Sequence, residues 1–266
     1  MKIDLQDNIQ RLFAQEYVNA MLSSQSDEEL DMMVHKFIHT GHVVDVAQEL
    51  IKLSRSSLKK NTQKAIIDAA LLHDIGCIKQ FVNAKFSNEV GHAKLGAEFL
   101  KNIMPDENIS IETNRWHCSS PSENDLQHAC FYLNYVHDAD ILAHVMYKSP
   151  FMDKVAKNNR LIGDDNTKDL YIDPEVETAL KERRAVRYKD LKHSSFLTNM
   201  LSHLHWKFNL RLKVSKEYAQ AHKIFVHFRN ALVYHLIPMF YATDQEKRTI
   251  IQKILDLYTD DILNEL

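Results

Sequence analysis

Ala69-Ala70-Leu71-Leu72-His73-Asp74-Ile75-Gly76 sets an ionisable pair directly against a run of apolar residues. Ala65, Ile66, Ala69, Ala70 and Leu72 recur along one side of the segment Thr62 to Ile75, and that spacing predicts a central, mostly buried helix. A lone carboxylate at the end of such a helix costs several kcal/mol, or shifts its pKa until it is neutral. A bound cation removes the problem by neutralising Asp74 and taking the neutral imidazole of His73 as a ligand. Adjacent residues on a helix point about 100° apart. Both can therefore reach one ion only beside a helix end, and Gly76 supplies one, since a left-handed cap is cheap at glycine.

Further ligands must come from other helices. Upstream, His42 opens His-Val-Val-Asp-Val-Ala-Gln-Glu-Leu and shares a helical face with Val46 and Leu50. Downstream, Asp140 lies in Ala-Asp-Ile-Leu within another apolar segment, and His92 and His117 stand at helix beginnings or ends. His35 and His39 precede His42 on the same segment; they are rival first ligands, but a polar helix face is the plainer reading.

The rest of the chain reads as helix. Gly and Pro, the residues that punctuate turns, number five each in 266 residues. Segments 6–22, 27–39, 43–53, 62–75, 92–103, 109–118 and 126–147 are expected as helices, with Gly41 interrupting the second and third and 79–91 a loop. Beyond Pro150 the composition turns more polar, Pro174 is expected to open a helix, and 195–236 and 244–265 follow as amphipathic segments. The expectation is an all-α fold: a metal-binding helical core over 1–155 and a C-terminal helical extension over 156–266, packed on the core.

A net charge of −3 with acids and bases nearly balanced signals neither strong nucleic-acid binding nor membrane attraction. The longest apolar stretch, 231–242, is broken by His235 and Pro238 and falls short of the roughly 18 residues of a membrane span. Cys77, Cys118 and Cys130 form no CxxC pair, and their odd number argues against a disulfide framework. With a polar, acidic opening segment, the expectation is a reduced, cytoplasmic protein.

The order His, then His-Asp, then Asp, with these flanks, resembles the HD superfamily of metal-dependent phosphohydrolases. In that family the first His sits in H-x-x-x-V-A-x-x-L, matched by His42 to Leu50; the doublet sits in A-A-L-L-H-D-I-G, matched by Ala69 to Gly76; the last Asp sits in A-D-x-L, matched by Ala139 to Leu142. Two-metal members add histidines where His92 and His117 stand. The resemblance covers roughly 30–150 and continues more weakly through Leu201-Ser202-His203-Leu204-His205-Trp206. Many members carry Lys or Arg directly after the doublet string, where this chain has Cys77. The G-Y-P motif of the cyclic-dinucleotide branch is absent.

The resemblance implies an HD-domain helical bundle holding one or two divalent ions. His42, His73, Asp74 and Asp140 would bind the first, and His92 and His117 the second, with Asp74 shared. Imidazole and carboxylate suit Mn, Fe, Ni, Co, Zn or, less well, Mg. His73 and Asp74 would then be the catalytic pair, the ion activating water against phosphorus. The expected partner is a small phosphorylated substrate, nucleotides included; a homo-oligomer is left open. Lys79, Arg115, Arg183, Arg184 and Arg187 are the candidate phosphate contacts, arginine being suited to bidentate binding. A solvated helix face is the plainer reading of the run around Arg183. Two rival functions remain: a mixed-valent di-iron oxygenase on the same ligands, and a nucleotide-binding regulator without turnover.

Overall fold

The computed structural model of the chain describes residues 4, 6–54, 58–82, 91–106, 108–116, 132–157, 170–193, 195–240 and 242–265. The fold is all-α, with no strand among the described residues. No described helix is long and apolar enough to cross a membrane. The chain divides into two compact units, Met1–Ala143 and His144–Leu266. The division falls inside a helix, ahead of the polar shift in composition that places it at 155/156 in the sequence reading.

The first unit is built from α1 (Asn8–Ser23), α2 (Asp27–Leu53), α3 (Lys60–Leu72), α4 (Ile75–Val82), α5 (His92–Ile103), α6 (Asn108–Trp116) and the start of α7 (Leu133–Lys157). Local chemistry sets the helix starts. Asp7 accepts from the backbone N–H groups of Ile9 and Gln10 at 2.9 and 3.1 Å, and Ser26 accepts from that of Glu29 at 3.2 Å. Each satisfies donors that the first turn leaves unpaired.

α3 packs against α2 and α6, α5 against α4 and α6, and α1 against α2, α3 and α4. Phe13, Tyr17 and Phe37 form an aromatic cluster tying α1 to α2, with ring centroids 4.6 to 5.5 Å apart. The core of this unit includes Val43, Val46, Ala47 and Leu50 of α2, Ile66, Ala69, Ala70 and Leu72 of α3, and Val136, Ala139 and Leu142 of α7, all buried.

Two expectations about glycine give way. α2 runs unbroken through Gly41. Glycine inside a helix costs only about 1 kcal/mol against alanine, less than the burial of the apolar face on either side. Gly76, moreover, is not a left-handed cap: no described glycine has positive φ. α3 stops at Leu72 and α4 starts at Ile75, so Gly76 lies in the first turn of α4. Glycine is needed there for closeness, because a Cβ would stand 1.8 Å from the His92 carbonyl oxygen and 2.7 Å from the Gly96 nitrogen.

The second unit contains α8 (Pro174–Lys181), α9 (Phe196–Ser202), α10 (Lys213–Ala221), α11 (Ile224–Ala231), α12 (Asp244–Leu257) and α13 (Asp260–Asn264). Pro174 opens α8, as the sequence anticipates, and Asp173, which the sequence reading does not single out, caps it and is fully buried. Burial alone would raise its pKa, but three backbone N–H groups, of Glu175, Lys192 and His193, donate to it at 2.9 Å each and hold it below the ordinary carboxylate value. The expected helix over 195–236 is divided into 3₁₀, α and π segments. Inside it His205 lies buried, its Nδ1–H donating to the Arg184 carbonyl at 3.2 Å and its Nε2 accepting from the Tyr258 hydroxyl at 2.5 Å.

Candidate metal centre

His73 and Asp74 occupy the two-residue turn between α3 and α4. Leaving helical register there lets both side chains address one point. His73 is fully buried, and its Nδ1–H donates to the Ala70 carbonyl at 2.8 Å. That bond sets the tautomer so that the Nε2 lone pair faces outward from α3. Nε2 stands 3.7 Å from Asp74 Oδ2 and 3.8 Å from Asp140 Oδ1. Asn114 of α6 steadies the end of α3 just ahead of the doublet: its amide donates to the Leu72 carbonyl at 2.8 Å and to the Ser110 carbonyl at 3.1 Å.

α2 and α7 close the group. His39 Nε2 lies 3.0 Å from Asp140 Oδ1, and the His39 ring meets that of His73 edge-on with centroids 5.6 Å apart. Donor atoms of His39, His73 and Asp74 all lie within 4.8 Å of one another. Two donors sharing an ion at about 2.0–2.2 Å stand roughly 3 to 4 Å apart. The His73–Asp74, His73–Asp140 and His39–Asp140 distances fall in that range, and His39, His73 and Asp74 together form one group that fits a divalent ion.

Of the α2 histidines, His39, buried at 5% exposure, and not His42 is in the described groupings of potential metal ligands. His42, three residues on, is half-buried beside Asp45; burial pushes its pKa down, against the pull of that carboxylate. Successive positions three apart on a helix differ by about 60° in direction, and the roll of α2 on its apolar stripe turns His39 toward α7. In the sequence alone His39 reads as a rival first ligand or, more plainly, as part of a polar helix face. Its useful signal was position: one turn ahead of the expected ligand, with Lys36 one turn earlier still.

Lys36 has no place in the sequence reading. Its ammonium donates to Asp74 Oδ2 at 2.7 Å. Burial alone would lower its pKa, but facing Asp74, and also Cys77 and Asp140, it titrates above the ordinary lysine value. On the other side of Asp74, the Cys77 thiol donates to Oδ1 at 3.4 Å, and His92 Nε2 lies 3.6 Å from the same oxygen. Asp74, Cys77 and His92 form a second group of potential metal ligands. His117 lies outside the described residues.

Four of the five candidate phosphate contacts pair with acidic side chains. Lys79 binds Glu16 and rests over the Phe99 ring at 3.9 Å. Arg115 pairs with Glu112 at 2.6 Å on α6. In the second unit, Arg183 pairs with Glu265 at 2.7 Å, Arg184 is bidentate on Glu175 and also meets Glu182, and Arg187 is exposed. The acids beside Arg183 and Arg184 offset much of the positive charge that the linear sequence displays there.

The arrangement offers imidazole and carboxylate donors on one face of Asp74, and thiol and imidazole on the other, in a buried turn. The family model described as HD domain matches residues 28–146. No curated protein and no solved structure matches the chain.

Proposed function

Residues 28–146 are an HD domain, and from that premise we propose that this chain is a metal-dependent phosphohydrolase acting on a phosphate ester or anhydride, with nucleotides among the candidate substrates. The observation that carries the reading is the grouping of His39, His73 and Asp74 at spacings that suit one divalent ion, with Asp140, from a third part of the chain, 3.0 Å from His39 and 3.8 Å from His73. These four would hold the ion, with His92 on the far side of Asp74.

A divalent ion in such a site lowers the pKa of bound water and polarises a phosphoryl oxygen. The chain's own residues supply the rest. The Ala70 carbonyl keeps His73 in the tautomer that presents Nε2. The burial of Asp74, at 5% exposure, keeps competing water away and strengthens every charge interaction it makes. Lys36 balances Asp74 and is the nearest described ammonium to the doublet's carboxylate, placed to meet an anionic substrate.

The test is metal analysis of the purified protein, followed by a phosphatase and nucleotide panel with Mn, Mg, Ni and Co. His73→Ala/Asp74→Ala is expected to lose both metal and turnover. A double variant that keeps its full metal content refutes the assignment. Nucleotide binding without turnover under every metal identifies the regulator instead, and an iron-loaded, oxygen-consuming protein the oxygenase.

A further inference from the structure

We propose that Cys77 is a thiolate ligand in a second metal position, formed by Asp74, Cys77 and His92, which selects a thiophilic divalent ion such as Zn²⁺ or Co²⁺. The inference deepens the reading above, resting on it for the ion at the other face of Asp74.

The three donors come together through two independent features of the fold. Asp74 and Cys77 are three residues apart across the start of α4, where the Cys77 N–H donates to the Asp74 carbonyl at 2.9 Å and its Sγ stands 3.4 Å from Oδ1. That first turn of α4 is where a helix favours negative charge, and hence a thiolate. His92, the first residue of α5, is delivered by glycine contacts. A Cβ on Gly76 would strike the His92 carbonyl oxygen, and one on Gly96 would stand 2.1 Å from Asn114 Oδ1 and 3.0 Å from the Gly76 nitrogen. With neither Cβ present, α4 and α5 approach until His92 Nε2 is 3.6 Å from Asp74 Oδ1.

The donors of all three lie within 4.8 Å of one another, Asp74 buried and the other two half-buried, so a cation has access. Coordination needs only that the thiol release its proton to solvent. A set of thiolate, imidazole and carboxylate favours Zn²⁺ or Co²⁺ over Mg²⁺ more strongly than the other face of Asp74, which has no sulfur.

The experiment is Co²⁺ titration of the full chain under reducing conditions, read by absorbance and bound-metal stoichiometry, for wild type, Cys77→Ser, Cys77→Ala and His39→Ala, each checked by circular dichroism. Wild type is expected to bind two equivalents and to show thiolate-to-cobalt charge transfer in the near ultraviolet. Both Cys77 variants are expected to lose that band while retaining the equivalent on the His39 side, and their Zn²⁺ affinity at the second position falls on the order of tenfold or more. His39→Ala is expected to do the reverse, keeping the band and losing the other equivalent. A wild type without the band, or Cys77 variants with unchanged spectrum and stoichiometry, overturns the proposal and leaves the proposed function standing if His39→Ala still loses its equivalent. Conversely, a band that disappears in the Cys77 variants with His39→Ala indistinguishable from wild type leaves the thiolate position standing and removes the His39 site. A wild type that binds no Co²⁺ overturns both.

Discussion

His39 and Asp140, 101 residues apart in sequence, meet with Nε2 and Oδ1 3.0 Å apart. The contact joins α2 to α7 beside the His73-Asp74 turn and sets the His39 imidazole against the Asp140 carboxylate.

A direct comparison of the two α2 histidines follows. His39→Ala is expected to weaken metal binding by about tenfold or more, while His42→Ala leaves it within a factor of about two, as a residue outside the ligand group should. Metal dissociation constants by competition with a chelating dye decide it. Loss of affinity in His42→Ala with none in His39→Ala reverses the assignment.

Lys36→Met removes the ammonium 2.7 Å from a buried carboxylate. The metal-free protein is expected to lose about 1–3 kcal/mol, the lower range reflecting the partial exposure of the lysine. Because a bound cation takes over the neutralisation of Asp74, metal affinity should rise and metal-induced stabilisation grow. Thermal unfolding with and without Mn²⁺ measures both; unchanged metal-free stability together with unchanged affinity contradicts it.

At Gly76 the smallest substitution should be severe. Gly76→Ala sets a Cβ against the backbone of His92 and Gly96, neither of which is a flexible side-chain end. Destabilisation of about 3 kcal/mol is expected, read from urea midpoints, together with reduced metal uptake as α5 is pushed away. A variant as stable as wild type rules out the close approach of the two helices.

In the second unit, His205 supplies a pH-dependent test. Burial, opposed by its bond to the Arg184 carbonyl and by Glu175, pushes its pKa down from 6.5 to about 4. Between those values the unfolded chain binds the proton and the folded chain does not. Its contribution is therefore complete above about pH 6.5 and declines as the pH falls toward 4, by at most about 1.4 kcal/mol per unit. His205→Gln should lack this share of the acid sensitivity, visible as a shallower fall in unfolding free energy between pH 7 and pH 4.5. Parallel pH profiles for the two proteins would show that His205 is not held neutral.

Much was legible in the sequence because it is local. The 3.6-residue period of Ala65, Ile66, Ala69 and Leu72 marks α3 wherever it packs, and Pro174 carries the chemistry of a helix start in its own ring. The His73-Asp74 pair at the end of an apolar run signals a compensating charge because burying a carboxylate is costly in any fold. Asp140, in a second apolar segment, follows from the same cost.

The remaining features depend on distances between helices. His39 and His42 lie on neighbouring strips of one helix, and only the roll of α2 against its core residues, with the approach of α7, separates them. Gly76 looks like a helix stop in the linear chain, yet its purpose lies in the backbone of α5, which no local pattern contains. Lys36 reads as an ordinary surface lysine until Asp74 is brought beside it. Sequence determined which residues were too costly to bury alone; tertiary packing decided which of them compensate one another, because electrostatic compensation acts over a few ångströms of space and takes no account of separation along the chain.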